Sequence, residues 1–337
     1  MEKLQLTKEN NHILSLEKIL QPIRKPLEAI ENRFKDCVAS ENPVIQEMVN
    51  YVFNKKGKRI RPALVFISSV IWDSPDQNKI IDLGLSIELI HIATLIHDDV
   101  NDRSELRRGV DTYNKKWGNS SSVLFGDFLF CRAFVILAQM GNLQIIQNLS
   151  KTTSEICEGE IMQSFLKKNY EISIDKYLEI IRYKTASLIA ESCRVGAIIT
   201  DQDKETQDCL YRYGLNLGMA FQIYDDFLDF HGTEELLGKP VLNDVVNGYI
   251  TLPMIHLFNQ KENGNREQIY QQIEEMQKDN NIKAIIDLLE KNGSLDYSLN
   301  KAKSFVTQAQ KELEPLTNNK LKDSLLEIAQ FIINREF

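Results

Sequence analysis

The sequence predicts an all-α, single-domain fold, and three observations carry that prediction. No proline occurs between Pro75 and Pro240, so a long part of the chain is free of the residue that breaks helices. Within it, apolar residues recur at three- and four-residue spacing, as in Ile80, Leu83, Ile87, Ile90 and Thr94, and again in Leu188, Ile189, Ser192 and Val195. The apolar run Leu64 to Trp72 suits a buried strand on periodicity alone, but no Asn-Gly or Asp-Gly hairpin signal follows it, so it reads as a core helix. In chain order the expected loops are Asp73–Asn78, Arg103–Gly118, Gly141–Leu143, His231–Gly248, Gln260–Arg266 and Asp279–Asn281. Between them lie a helix from near Asp82 to Asp102, one through Phe128–Leu137, and one carrying residues 221–230. None of the loops has linker composition and no fixed repeat is present. Residues 1–337 therefore read as one domain, frayed up to about residue 12.

Composition excludes several functions. At 337 residues, 43% hydrophobic and 26% charged, the chain reads as globular and soluble. A net charge of −8 without a basic run argues against nucleic acid as the main partner. The five cysteines are odd in number, widely spaced and lack a Cys-x-x-Cys pair, which fits reduced, mostly buried thiols and a cytoplasmic protein. The N-terminus shows no signal-peptide core, and no stretch approaches the roughly 20 apolar residues of a membrane span.

The segment HDDVNDRSELRRG at residues 97–109 concentrates acids and then bases. On a helix, Asp98, Asp99 and Asp102 fall at i, i+1 and i+4, an arc of about 100°. Carboxylates so placed repel one another and face the negative end of the helix dipole. A divalent cation would compensate them, and a donor set of oxygens alone, without His or Cys at matching spacing, suits Mg²⁺. Asp225, Asp226 and Asp229 in FQIYDDFLDF repeat the pattern on a second helix. Two such clusters facing each other across a cavity would clamp a diphosphate through metal. Lys58, Arg59, Arg61, Arg107, Arg108, Lys184 and Lys239 each read singly as surface charges; together they fit a second diphosphate held directly by cations.

With these motifs the sequence resembles a trans-prenyl diphosphate synthase of the polyprenyl synthetase family, from about residue 15 to the C-terminus. The matching segments are GKRIRP, ELIHIATLIHDD, DDVNDRSELRRG, FGDFL, CEGEIMQ, YKTASL, GMAFQIYDD, DDFLD, LGKPVLND and TLP. The resemblance implies the isoprenoid synthase fold, with helices around a central cavity, and a head-to-tail condensation of isopentenyl diphosphate with an allylic diphosphate. It implies Mg²⁺ at Asp98, Asp102 and Asp225, three ions with the allylic diphosphate bound, with Asp99, Asp226 and Asp229 in support. Isopentenyl diphosphate would be held by Lys58, Arg61, His91 and Arg108, and the allylic diphosphate by Arg107, Lys184 and Lys239. Thr185 and Gln222 would lie near the allylic cation. Phe221 would pack, touching substrate, while Phe230 packs only. From the residues alone, His91 and His97 both read as hydrogen-bonded core histidines, and Glu160 and Gln163 as either structural or adjacent to the site. A homodimer is the implied assembly.

Two departures stand out: Lys56 replaces the first glycine of the family's Gly-Gly-Lys-Arg, and Tyr249 replaces a lysine before TLP. Product length is expected from Ala93 and Thr94, five and four residues before Asp98, where the family's short-chain members carry bulky aromatic floors. Both are small here, which points to a medium- or long-chain all-trans product. Open alternatives are a short-chain farnesyl or geranylgeranyl synthase, the catalytic subunit of a heteromeric synthase, a related ionising enzyme such as a terpene cyclase, and a non-catalytic partner subunit.

Overall fold

The computed structural model describes residues 16–53, 57–70, 76–107, 109–231, 242–260, 266–279, 281–317 and 320–334. The N-terminal residues up to 12, Lys56, Arg108 and Lys239 lie outside them. The chain runs through α1 (Leu16–Leu20), a 3-10 turn, α2 (Arg24–Cys37), α3 (Pro43–Phe53), α4 (Ile60–Val70), α5 (Gln77–Asn101), α6 (Tyr113–Trp117), α7 (Asn119–Met140) and α8 (Leu143–Phe165). There follow α9 (Ile174–Ile181), a π-helical turn (Arg182–Ala186), α10 (Ser187–Ile199) and α11 (Lys204–His231). The remainder comprises α12 (Asn243–Val246), α13 (Leu252–Asn259), α14 (Arg266–Lys278), α15 (Ile282–Lys291), α16 (Ser294–Glu312) and α17 (Lys320–Asn334).

Helix starts follow local chemistry. The Asp76 side chain accepts from the Asn78 and Lys79 amides to open α5, Asn142 accepts from Ile145 to open α8, and Ser173 accepts from Lys176 to open α9. Gly141, at φ +72°, ends α7 in the left-handed conformation that favours glycine. Helix α5 is apolar around most of its circumference, so it packs in the middle, against α2, α4, α6, α7 and α10. A larger core cluster surrounds α5, and a second lies under α9, α11, α13 and α16; partly buried Phe305 and Ile333 pack against both.

Four sequence expectations differ from the structure. The expected loop 103–118 contains an antiparallel pair, β1 (Leu106–Arg107) with β2 (Val110–Asp111), turned at Gly109 with φ +75°, and then α6. Within the expected loop 231–248, the short α12 follows Leu242. Cys131 and Cys157 are exposed, because they sit on the outer faces of α7 and α8, while all five cysteines are free thiols. By length and composition, α5 and α7 are both apolar enough to cross a membrane. Reading for uninterrupted runs misses them because Glu88 breaks the run in α5 and Asp127 and Arg132 break it in α7. The most apolar window of α5 is 67% buried inside the protein, that of α7 only 39%.

Candidate active site

The C-terminal end of α5, the C-terminal part of α8, the π-helical turn and the C-terminal half of α11 meet at one place. Two glycines let them. A Cβ on Gly159 of α8 would stand 2.7 Å from the Lys184 backbone nitrogen, and one on Gly218 of α11 would stand 2.5 Å from the Ala186 Cα. Both helices therefore touch the backbone of the π turn directly. That turn widens the helix by one residue and aims Lys184 and Thr185 into the space between the aspartates.

Lys184 is the hub of the first aspartate cluster. Its ammonium lies 2.5 Å from Glu160, donates to Gln163 Oε1 at 2.8 Å and stands 3.8 Å from Asp98 Oδ2. Burial works to lower its pKa, but the carboxylates of Asp98 and Glu160 outweigh burial and raise it. Burial, together with the Asp98 charge, pushes the Glu160 carboxyl up to about 8. Asp99, one residue and about 100° round the helix from Asp98, turns inward and accepts from Arg107 Nε at 2.7 Å. Asp102, the C-cap of α5, accepts a hydrogen bond from the Tyr249 hydroxyl and lies 3.8 Å from the Lys167 ammonium. Protein cations therefore supply part of the compensation that the sequence left to a bound ion.

The second cluster splits in the same way. Asp225 is partly exposed, whereas Asp226 and Asp229 are buried. Asp226 accepts from the Tyr177 hydroxyl at 2.6 Å and from Gln222 Nε2 at 2.8 Å, and Gln222 Oε1 accepts from Thr185 at 2.8 Å. This chain fixes which end of the Gln222 amide meets Thr185. Burial pushes the Asp226 carboxyl up to about 7, against the hydrogen bonds from Tyr177 and Gln222. Asp229 accepts from the Asp244 amide at 3.1 Å, tying α11 to the segment that leads to Tyr249.

Of the groups expected for a second diphosphate, Lys58 lies just before α4, Arg61 in its first turn and His91 on α5. Half-buried Arg61 meets His91 Nε2 at 3.1 Å, and loss of solvent around the guanidinium lowers its pKa to about 10 while Glu88 and Asp225 raise it. Arg59, in a left-handed conformation at φ +49°, bridges Glu31 at 2.6 Å and buried Glu88 at 2.5 Å. It therefore braces the loop rather than facing ligand. Lys58 is exposed, with its ammonium 5.9 Å from the centre of the Phe331 ring. His97 meets the Val123 carbonyl at 3.1 Å, a packing role, and Phe221 packs against the core beside Gln222 while Phe230 is fully buried. Ala93 is fully buried, whereas Thr94 is partly accessible and donates back to the His91 carbonyl at 2.7 Å.

A cavity of about 110 Å³ is lined by Asp102, Gln163, Lys184, Gln222, Asp226 and Tyr249 on its polar side, with Ile180, Ile181 and Ile250 below. Sequence reading left Glu160 and Gln163 outside the site and missed Tyr177 and Lys167 altogether. Glu160 and Gln163 lie in the matching segment CEGEIMQ, but no local pattern marks Tyr177 or Lys167, because their roles come from elements brought together in space.

The carboxylates suit a divalent cation that shares its coordination with a ligand. Asp98 Oδ1 is buried without a hydrogen-bond partner, and the donors are all oxygen. Among the described residues no three acidic, His or Cys groups converge closely enough to hold a metal by themselves. That combination fits an ion bound through one or two carboxylates plus substrate phosphate oxygens.

Residues 42–289 match the polyprenyl synthetase family. The chain is 36% identical to heptaprenyl diphosphate synthase component 2 of Bacillus subtilis (strain 168), over 92% of this chain and 88% of that protein. It superposes with a TM-score of 0.89 on a decaprenyl diphosphate synthase from Rhodobacter capsulatus, at 31% identity, covering 96% of this chain and 100% of that one. The same TM-score, 0.89, relates it to a polyprenyl synthase from Caulobacter crescentus CB15 complexed with calcium and isoprenyl diphosphate, at 30% identity over 96% and 98% of the two chains.

Proposed function

The chain belongs to the polyprenyl synthetase family and is a trans-prenyltransferase, and from that premise we propose how its residues divide the reaction. The enzyme condenses isopentenyl diphosphate head-to-tail with an allylic diphosphate such as farnesyl diphosphate, giving a medium- or long-chain all-trans polyprenyl diphosphate. The observation that carries the reading is the meeting of both aspartate clusters with Lys184 at one cavity.

Asp98, Asp102 and Asp225 would hold Mg²⁺, three ions in all with the allylic diphosphate bound, and Mg²⁺ there would neutralise charge on the departing pyrophosphate. Arg107, Lys184 and Lys239 grip the allylic diphosphate, while Lys58, Arg61, His91 and Arg108 place isopentenyl diphosphate beside it. The allylic carbon–oxygen bond breaks with its electron pair leaving on pyrophosphate. The terminal alkene carbon of isopentenyl diphosphate then bonds to the allylic cation, and a proton passes to pyrophosphate. Thr185 and Gln222 orient polar groups near that cation, and Asp99, Asp226 and Asp229 act through the groups they hold. Phe221 packs next to Gln222 at the substrate edge. Positioning and electrostatics do the work, and no protein nucleophile is needed.

Residues Leu124, Cys131, Val135 and Ala138 form an exposed stripe on α7. Their spacing is that of one helix face. It supports a homodimer in which a second copy covers α7, and the five free thiols support a cytoplasmic location. The likeness to a synthase named as component 2 favours a second arrangement, a catalytic subunit that needs a partner. Incubating the purified chain alone with farnesyl diphosphate, labelled isopentenyl diphosphate and Mg²⁺ tests both. Products beyond geranylgeranyl length support the first arrangement, and elongation only on adding a second protein supports the other. Loss of turnover in EDTA is expected in either.

A further inference from the structure

We propose that Lys167, seated on the ring of Tyr249, is a further diphosphate-binding residue at the Asp102 edge of the site. The assignment rests on the reading of that site given above.

The backbone is built to present this lysine. After α8 ends at Phe165, Lys168 adopts a left-handed conformation at φ +58°, uncommon for a residue with a side chain. Its amide donates to the Gly248 carbonyl at 2.8 Å, which stitches the turn to the segment carrying Tyr249. The Lys168 stem runs over Gly248 closely enough that a Cβ there would lie 3.1 Å from its Cγ. The two consecutive lysines then diverge. Lys168 donates to Glu274 Oε1 at 2.7 Å, away from the cavity, while Lys167 stands 4.5 Å over the Tyr249 ring and 3.8 Å from Asp102 Oδ1.

At 3.8 Å the Asp102 contact is an ion pair rather than a hydrogen bond. Among the described residues the Lys167 ammonium makes no hydrogen bond, so its three donors remain available. Lys184, by contrast, already gives two of its three donors to Gln163 and Glu160. The Lys167 side chain is 32% exposed and stands beside Asp102 and Tyr249, which both line the cavity. Tyr249 fixes the seat from below: its hydroxyl donates to Asp102 and its amide donates to the Asp244 carbonyl at 2.8 Å. An ammonium held by a ring face, beside a carboxylate suited to a shared cation, is placed to meet the phosphate oxygens which that cation would also hold.

Calorimetric titration of inorganic pyrophosphate in Mg²⁺ tests this without relying on turnover. Lys167→Ala should weaken binding about ten- to hundredfold, the range for losing one charge-assisted contact. Lys167→Arg should restore it to within a few-fold of wild type, since a guanidinium stacks on an aromatic ring as well. Tyr249→Leu, which removes the ring, should weaken binding, and adding Lys167→Ala to it should cost little more. Lys168→Gln, which removes an equal charge facing Glu274, should leave binding unchanged. Unchanged affinity in Lys167→Ala, or equal losses in Lys167→Ala and Lys168→Gln, would overturn the assignment. Failure of the wild type itself to bind pyrophosphate would overturn the reading of the site and this assignment with it.

Discussion

Gly159→Ala is the sharpest test of how the site is assembled. An added Cβ would stand 2.7 Å from the Lys184 nitrogen, 3.0 Å from the Tyr183 Cβ and 3.2 Å from the Lys184 Cα, where ordinary contact begins at 3.4 Å. The closest atom is backbone, so no side chain can swing aside. Helix α8 and the π turn must part by about 0.7 Å, the gap between 2.7 and 3.4 Å. The Lys184 bonds to Glu160 and Gln163 at 2.5 and 2.8 Å would then stretch to the edge of hydrogen-bond range. Overpacking of this kind costs roughly 1–3 kcal/mol of stability. Because misplacement by about 1 Å can cost 10²-fold in rate, kcat/KM should fall by about 10- to 100-fold. Gly141→Ala is the control: nothing lies within 4 Å, so only the strain of φ +72° is introduced. It should lose about 1 kcal/mol of stability and no activity. Radiolabel incorporation and thermal unfolding on both variants decide the matter. If Gly159→Ala keeps wild-type kcat/KM, or if Gly141→Ala loses as much activity, Lys184 is not placed by this close approach.

Three further outcomes are expected. Since Ala93 is fully buried and Thr94 partly accessible, Ala93→Phe should overpack by about 1–3 kcal/mol, while Thr94→Phe should shorten products to farnesyl or geranylgeranyl length at smaller cost. Unchanged product sizes in both would refute the floor. Burial raises the Asp226 pKa from 3.8 to about 7, so wild-type stability is fullest below the lower value and declines as pH rises through the upper one. In EDTA, Asp226→Asn should therefore gain stability relative to wild type from about pH 4 to 7 by urea unfolding; a constant difference would contradict this. Leu124, 65% exposed on α7, is expected under the second copy, so Leu124→Glu should halve the mass measured by light scattering, and an unchanged mass would count against that interface.

The sequence by itself determined the helices and the chemistry. Apolar spacing without proline has one low-cost solution, and two Asp-Asp-x-x-Asp runs, the first followed by paired arginines, leave few roles for their charges. It also showed the oddity of Tyr249. It could not show that Asp98 and Asp225 face more open surroundings while Asp99 and Asp226 turn inward to Arg107 and Tyr177. Adjacent residues on a helix differ by about 100°, and only the packed neighbours decide which direction is inside. Nor could it show that Gly159 and Gly218 are the contact points of α8 and α11 with the π turn. A glycine's value lies in the atom that comes against it, and that atom belongs to a distant part of the chain. Lys167 shows the same limit: beside Lys168 it reads as one of two surface charges, and the left-handed turn held by Gly248 sends one lysine to Glu274 and the other to Asp102.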